Sequence, residues 1–203
     1  MAMSTVVFDL GGVVCRYRPE RRLQELSRIS GRTPADVHRI LYGSGFIGET
    51  ELGQRNAEEI VSEIGARLGR PMDRSELEPA WLASFPVDEE VLELVGRTAV
   101  RHRTAILTNN DLLLREALLS ARPDFADRFD DIVFSAEIHA VKPAAESFRK
   151  ALSIMKAEPS QVLFIDDSDT NVAGALQAGL SAVRYQHAQQ LANELERYHV
   201  LDD

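Results

Sequence analysis

The stretch "VVFDLGGVV", residues 6–14, places the carboxylate of Asp9 directly after an apolar run. A run rich in β-branched residues without polar alternation is typical of a strand that is buried on both faces of a parallel sheet. Two glycines, Gly11 and Gly12, follow shortly after the acidic residue. Because a buried carboxylate is costly unless it is paired, the position of Asp9 needs a chemical explanation.

Four further apolar runs predict the remaining strands, and from the second strand onward helical patterns alternate with them. This alternation is typical of an α/β fold in which helices cover both faces of a parallel sheet. We therefore expect a doubly wound α/β core. The five predicted strands span residues 5–10, 104–109, 131–135, 161–166 and 181–185.

A helical lobe is predicted between the first two strands, because about ninety residues separate them and loops of α/β units usually take about 2 to 6 residues besides their helix. The segments "TPAD" (33–36) and "DRSE" (73–76) are typical helix starts. One predicted helix face carries Ala57, Ile60, Val61, Ile64 and Leu68 at a spacing of 3.6 residues. We expect the lobe to contain its own apolar interior, formed in part by Phe46, Trp81 and Phe85.

The predicted elements divide the chain into a core and an insertion. The core is predicted to span residues 1–15 and 96–203, and the helical lobe residues 16–95. A chain of 203 residues is long enough for one sizeable core with a small accessory lobe, but not for several independent domains.

Composition and charge exclude several kinds of partner. The net charge of −9 leaves no basic face for nucleic acid or anionic lipid. We find no apolar stretch near the roughly 20 residues that a membrane span needs, and no signal-peptide pattern. The sequence therefore predicts a soluble, cytoplasmic protein, and its single cysteine, Cys15, is expected to be a small buried apolar residue.

Polar side chains follow four of the predicted strands, at the edge where ligands bind in open parallel sheets. Each alone has an ordinary explanation as a helix cap, a turn or a solvated charge. Together they place three carboxylates, a hydroxyl and an ammonium group at one edge, and clustered carboxylates repel unless a cation neutralises them. Oxygen ligands suit Mg²⁺. The polar residues at this edge are Asp9, Thr108, Asn109, Asn110, Lys142, Asp166, Asp167 and Asn171.

Such a site can transfer a phosphoryl group. A carboxylate, here Asp9, can attack phosphorus while a metal ion and Lys142 balance the charge on the transferring group. Thr108 and backbone N–H groups can bind the phosphate oxygens, and Gly11 and Gly12 allow the backbone to approach them closely. This chemistry explains the position of Asp9, which we interpret as a nucleophile.

The segments "VVFDLGGVV", "ILTNN", "VKP" and "FIDDSDTN" resemble, in this order, the four motifs of the haloacid dehalogenase-like (HAD) hydrolase superfamily. Each is weak alone, but all four at the expected strand ends form a strong signal. The resemblance covers about residues 4–15 and 96–190 and implies a modified Rossmann core, while the insert resembles a helical C1-type cap. The "FDLGGV" variant is similar to a subgroup that includes glucose-1-phosphate phosphatase-like proteins.

The resemblance implies a role for each matching residue. Asp9 would be the nucleophile and a Mg²⁺ ligand, together with Asp166, Asp167 and the backbone carbonyl of Gly11. Lys142 would steady the nucleophile and the phosphate. The substrate phosphate would be bound by Gly11, Gly12, Thr108, Asn109 and Lys142, and Asn171 would orient Lys142 or a metal-bound water.

One position departs from the superfamily's usual pattern. Most phosphatases of this kind carry a second Asp where this chain has Gly11, and that Asp protonates the leaving group and later activates water. The expected function is hydrolysis of a small phosphate monoester, with a sugar phosphate as one candidate, through an aspartyl-phosphate. Two alternatives remain: a 2-haloacid dehalogenase, which dispenses with the metal, and a noncatalytic phosphate-ligand-binding protein, which the missing Asp would favour.

Overall fold

The computed structural model describes residues 3–201, and within them five parallel strands form one sheet in the order β3-β2-β1-β4-β5. The predicted α/β class and the five strand positions are confirmed. The strands are β1 (Thr5–Phe8), β2 (Arg103–Thr108), β3 (Asp131–Phe134), β4 (Val162–Asp166) and β5 (Ser181–Arg184). Because β1 ends at Phe8 rather than at residue 10, Asp9 lies in the loop beyond the strand, where its side chain can turn toward neighbouring strand ends.

Helices surround the sheet and form the insert. A short 3-10 helix, Pro159–Gln161, precedes β4. The insert contains α1 (Pro19–Ser30), α2 (Pro34–Leu41), α3 (Phe46–Glu51), α4 (Ala57–Leu68) and α5 (Arg74–Ala83). The remaining helices are α6 (Glu89–Thr98), α7 (Leu112–Ala121), α8 (Pro123–Ala126), α9 (Ser135–Ile138), α10 (Ala145–Met155), α11 (Asp169–Gln177) and α12 (Ala188–Arg197).

Both faces of the sheet are buried, as the unbroken apolar runs of the strands predict. Along β1, Val6 and Phe8 belong to the apolar cluster on one face, whereas Val7 belongs to the cluster on the other. The first cluster continues into the helical insert, so the insert and the core share one apolar interior. No helix within residues 3–201 is both long enough and apolar enough to cross a membrane.

The helices of the insert begin where their sequences predict. The side chain of Thr33 caps α2, and Asp73 forms a reciprocal capping box with Glu76 at the start of α5. The predicted apolar face of α4 is buried. Phe46, Trp81 and Phe85 are also buried, and Phe85 lies beside the loop after β1, with its ring centroid 5.3 Å from that of Tyr17.

Two chain segments connect the insert to the core and run side by side in opposite directions. The N–H of Arg16 donates to the carbonyl of Pro86 at 2.9 Å, and that of Arg18 donates to Ser84 at 2.8 Å. The helix α6, which follows the second segment, contacts β2 and α12 of the core. The proposed second boundary at residue 95 falls inside α6, so these contacts favour a boundary before Glu89.

The insert is also tied to the core away from the connecting segments. The indole Nε1 of Trp81, on α5, donates to both carboxylate oxygens of Asp111, at 2.9 and 3.1 Å, and Asp111 caps α7 of the core. The hydroxyl of Ser135, after β3, donates to the backbone carbonyl of Glu51 at 2.6 Å. These contacts fix α3 and α5 over the carboxyl edge of the sheet.

Candidate active site

Asp9 sits at the centre of the carboxyl edge of the sheet and is 8% exposed. Its Oδ1 accepts a hydrogen bond from the N–H of Leu10 at 2.7 Å and lies 2.8 Å from Nζ of Lys142. Burial raises the pKa of Asp9 to about 6, the nearby charge of Asp166 adds to this increase, and Lys142 opposes it.

Lys142 links two of the carboxylates and is almost completely buried. Its Nζ lies 2.8 Å from Asp9 and donates to Asp166 at 2.7 Å and to the carbonyl of Leu107 at 2.8 Å. Three acceptors match the three protons of an ammonium group. Burial disfavours the charged form of Lys142, but the two carboxylates outweigh burial and raise its pKa.

Asn109 holds the backbone of Lys142 in place. Its Oδ1 accepts from the N–H of Lys142 and its Nδ2 donates to the carbonyl of Lys142, both at 2.9 Å. The sequence predicts Asn109 as a substrate-binding residue, and in the structure both polar atoms of its amide group bind the backbone of Lys142. The neighbouring Thr108 is buried, and its Oγ1 accepts from Nδ2 of Asn110 at 2.7 Å.

Three carboxylates are close enough to hold one metal ion. Asp9, Asp166 and Asp167 each offer an oxygen within 4.8 Å of the others. Asp166 is fully buried and accepts from Nδ2 of Asn171 at 3.1 Å, so Asn171 reaches Lys142 through Asp166. Burial and the charge of Asp166 raise the pKa of Asp167. A cluster of oxygen donors whose mutual repulsion a cation would relieve fits Mg²⁺.

The two glycines after Asp9 are in different environments. Gly12 has a φ of +92°, and a Cβ there would lie 2.3 Å from Oδ2 of Asp167, so a side chain would displace that carboxylate. Gly11 has an ordinary φ, but a Cβ there would lie 3.0 Å from the ring of Phe85. Phe85 therefore occupies the space next to Gly11 that a longer side chain would need.

A cavity of about 160 Å³ opens at this edge of the sheet between the core and the insert. Seven of the residues singled out in the sequence line it, whereas Gly12, Asp166 and Asp167 do not. The lining residues from the core are Asp9, Gly11, Thr108, Asn109, Asn110, Lys142 and Asn171, and those from the insert side are Tyr17, Arg22, Glu51 and Phe85.

The residues from the insert side were not predicted as site residues. Arg22 lies 3% exposed on α1, with its guanidinium 4.3 Å from the centroid of the Trp81 ring, and its Nε and Nη2 have no hydrogen-bond partner within residues 3–201. A buried arginine is unusual and indicates a functional residue. The sequence does not show that Arg22 is buried, so this indication comes only from the structure. Arg16, by contrast, is exposed and pairs with Asp88 at 2.8 Å.

Cys15 follows the site loop and takes no part in the cavity. Its side chain is fully buried, and burial raises the pKa of the thiol to about 12. The thiolate, which is the reactive form of cysteine, is therefore strongly disfavoured. These properties agree with the predicted role of Cys15 as a small apolar residue.

The parallel sheet, the helical insert and the carboxylate cluster define a capped α/β protein with an aspartate-centred site. A family profile described as haloacid dehalogenase-like hydrolase matches residues 3–179. The chain therefore belongs to the haloacid dehalogenase-like hydrolases, which confirms the resemblance of its four motifs to this superfamily.

Two proteins named as phosphatases are similar to this chain over most of its length. The chain is 27% identical over 179 residues to the D-ribitol-5-phosphate phosphatase of Bacteroides thetaiotaomicron, a match that covers 84% of this chain and 85% of the relative. It is 27% identical over 191 residues to the phosphatase MT3486 of Mycobacterium tuberculosis, with 90% and 87% covered.

Solved structures share the fold. A predicted HAD-like family hydrolase from Porphyromonas gingivalis matches with a TM-score of 0.81 and 23% identity, covering 97% of this chain and 99% of the other. A HAD family enzyme from B. thetaiotaomicron, in complex with magnesium and inorganic phosphate, matches with a TM-score of 0.79 and 20% identity, covering 91% and 95%. At these identities the likeness concerns the fold.

Proposed function

We propose that the protein is a Mg²⁺-dependent phosphatase that hydrolyses a small phosphate monoester through a phosphorylated Asp9. The observation that carries this proposal is the cluster of Asp9, Asp166 and Asp167 around Lys142, beside a cavity at the carboxyl edge of the sheet. The two phosphatase relatives support it, as does the magnesium and phosphate complex of a protein with the same fold.

The metal would be held by Asp9, Asp167 and Asp166, with the backbone carbonyl of Gly11 as a further ligand. When bound, Mg²⁺ supplies charge that stabilises the phosphoryl group during transfer. Lys142 holds the Asp9 carboxylate in place and keeps it partly neutralised. Thr108 offers a hydroxyl at the cavity wall for a phosphate oxygen, and Asn109 fixes the loop that carries Lys142.

The cavity favours a small and polar substrate. A volume of about 160 Å³ is below the range of about 300–1,000 Å³ that is usual for drug-sized ligands. Arg22 and Glu51 add a cation and a carboxylate to the lining, and the hydroxyl groups of a sugar or polyol can both donate to a carboxylate and accept from a guanidinium. We therefore propose a sugar or polyol phosphate as the substrate class.

Metal removal tests the proposed function. We expect EDTA to abolish phosphate release from a panel of sugar, polyol and aryl phosphates, and added Mg²⁺ to restore it, because the clustered carboxylates need a cation. Phosphate release is the measurement, and halide release from 2-chloropropionate is the control. Metal-independent halide release would support the dehalogenase alternative, and binding of phosphate esters without turnover would support the noncatalytic one.

A substitution at Gly12 tests the metal site independently of activity. In Gly12→Ala we expect the dissociation constant for Mg²⁺ to rise at least about tenfold, because the new Cβ would displace the Asp167 carboxylate. Isothermal titration calorimetry measures this constant directly. The matched control is Gly31→Ala, since Gly31 has a similar φ of +72° but no atom within 4 Å of an added Cβ.

Both variants carry the backbone strain of a left-handed residue, which costs about 1–2 kcal/mol. Only the Gly12 variant should lose affinity for Mg²⁺. Equal Mg²⁺ affinities in the two variants would contradict the assignment of Asp167 as a ligand.

A further inference from the structure

The conformation around Gly11 raises the question of which group transfers protons during hydrolysis. Cleavage of an alkyl phosphate needs a proton for the leaving oxygen, and cleavage of a phosphorylated aspartate needs a base for water. Gly11 has no side chain, and the ring of Phe85 lies where a longer residue would extend. A proton-transferring group must therefore come from another part of the cavity wall.

Glu51 is the one carboxylate besides Asp9 among the residues that line the cavity. It ends α3 of the insert and is only partly exposed. Within residues 3–201 its side chain has no hydrogen bond or ion pair. Its backbone carbonyl, by contrast, accepts from the Ser135 hydroxyl at 2.6 Å, so the core fixes the position of the residue.

We propose that Glu51 is the catalytic acid and base of the phosphatase reaction, in place of the carboxylate that Gly11 lacks. The inference rests on the proposed function and names a further catalytic residue for it. Glu51 lies on the insert and lines the same cavity as Asp9, whereas Lys142, which lies 2.8 Å from Asp9, belongs to the core.

Glu51 gives up one proton and takes one back in each turnover. An oxygen of Asp9 forms a bond to phosphorus, the bond from phosphorus to the ester oxygen breaks, and that oxygen takes the proton of Glu51 to leave as an alcohol. The ionised Glu51 then accepts a proton from water, whose oxygen bonds to phosphorus while the bond from Asp9 to phosphorus breaks. Inorganic phosphate leaves, and Glu51 is protonated again.

The electrostatic surroundings of Glu51 suit a group that both gives and takes a proton. Burial raises its pKa to about 7, the charge of Asp111 adds to this increase, and Arg22 opposes it. An acid and base works best when its pKa lies near the working pH. Tyr17 carries the one hydroxyl among the lining residues from the insert side, and burial raises its pKa above the usual value of 10, so it keeps its proton near neutral pH and cannot act as the base.

The test compares Glu51→Gln with wild type by rapid-quench kinetics in Mg²⁺. With alkyl phosphates we expect the steady rate to fall by about 10²- to 10⁴-fold. With an aryl phosphate, whose leaving group needs no proton, we expect a burst of phenol equal to the enzyme concentration, followed by slow turnover and phosphate retained on Asp9. Wild type should show neither a burst nor retained phosphate.

Two further variants separate catalysis from folding. Glu49→Gln is the matched control, because Glu49 lies on the same helix, pairs with Arg55 and does not line the cavity, and it should behave as wild type. Glu51→Ala should regain alkyl phosphate hydrolysis when formate is added, since formate can occupy the vacated space and exchange the same protons. A merely structural role would not give rescue by formate.

The outcomes that overturn the proposal are distinct. Brisk alkyl phosphate turnover by Glu51→Gln, or a rise in KM with kcat unchanged, would remove Glu51 from the proton transfer. If Tyr17→Phe showed the slow alkyl phosphate hydrolysis and the aryl phosphate burst, and Glu51→Gln did not, the proton transfer would be assigned to Tyr17. A wild-type protein without Mg²⁺-dependent turnover, or one whose turnover survives Asp9→Asn, would overturn the proposed function and this role with it.

Discussion

Asp9→Asn is expected to lower the rate of phosphate-ester hydrolysis by at least about 10⁴-fold, because an amide cannot replace a carboxylate as the nucleophile. The substitution preserves shape, and the Asn carbonyl can still accept from Lys142 and from the N–H of Leu10. The fold should therefore persist. Release of inorganic phosphate under saturating Mg²⁺ and substrate is the measurement, with thermal unfolding as the check on folding.

Asp127→Asn is the matched control for this experiment, because Asp127 is exposed at the end of α8 and does not line the cavity. It should retain the wild-type rate. Substantial hydrolysis by the Asp9 variant would mean that another group attacks phosphorus, and the proposed phosphorylated intermediate would then be wrong.

Lys142→Met is expected to reduce the free energy of unfolding by about 3–5 kcal/mol, because it leaves Asp9 and Asp166 buried without their common cation. Denaturant unfolding in EDTA measures this loss without compensation by bound metal. Hydrolysis should fall as well, since Asp9 loses the group that holds it in place.

Lys150→Met provides the comparison for the loss of a lysine. Lys150 is partly exposed on α10, where its Nζ pairs with Glu146 at 2.9 Å and donates to the carbonyl of Ile138 at 2.8 Å. An exposed ion pair contributes only about 0–1 kcal/mol and a hydrogen bond about 0.5–1.5 kcal/mol, so we expect a smaller loss than in Lys142→Met. Similar losses of stability in the two lysine variants would contradict the interpretation of Lys142 as the ion that neutralises the buried carboxylates.

The core side of the site could be predicted from the sequence because topology alone brings it together. In a parallel sheet every strand ends at the same edge, so polar residues at or just after the ends of β1, β2 and β4 must meet there. Asp9, Thr108 and Asp166 follow this rule without any knowledge of packing. The sequence could not show that Asn109 is engaged by the backbone of Lys142, because that contact depends on the path of a loop.

The insert side of the site could not be predicted in the same way. Helical periodicity identifies the buried face of α4, but it does not specify which loops and helix ends of the insert face the core. Arg22 and Glu51 are ordinary charged residues in a helical pattern until tertiary packing places them at the cavity. Phe85 is predicted to pack inside the insert. Its position beside Gly11, like the positions of Arg22 and Glu51, depends on how the insert packs against the core.

The hydrogen bond from Trp81 to Asp111 has a spectroscopic consequence. The chain contains a single tryptophan, so its tryptophan emission comes from one indole, located where the insert meets the core. Any movement of α5 away from α7 would separate that indole from a carboxylate and admit water to it. The protein therefore carries a built-in fluorophore for following the opening of its insert in stopped-flow experiments, without a label or a substitution.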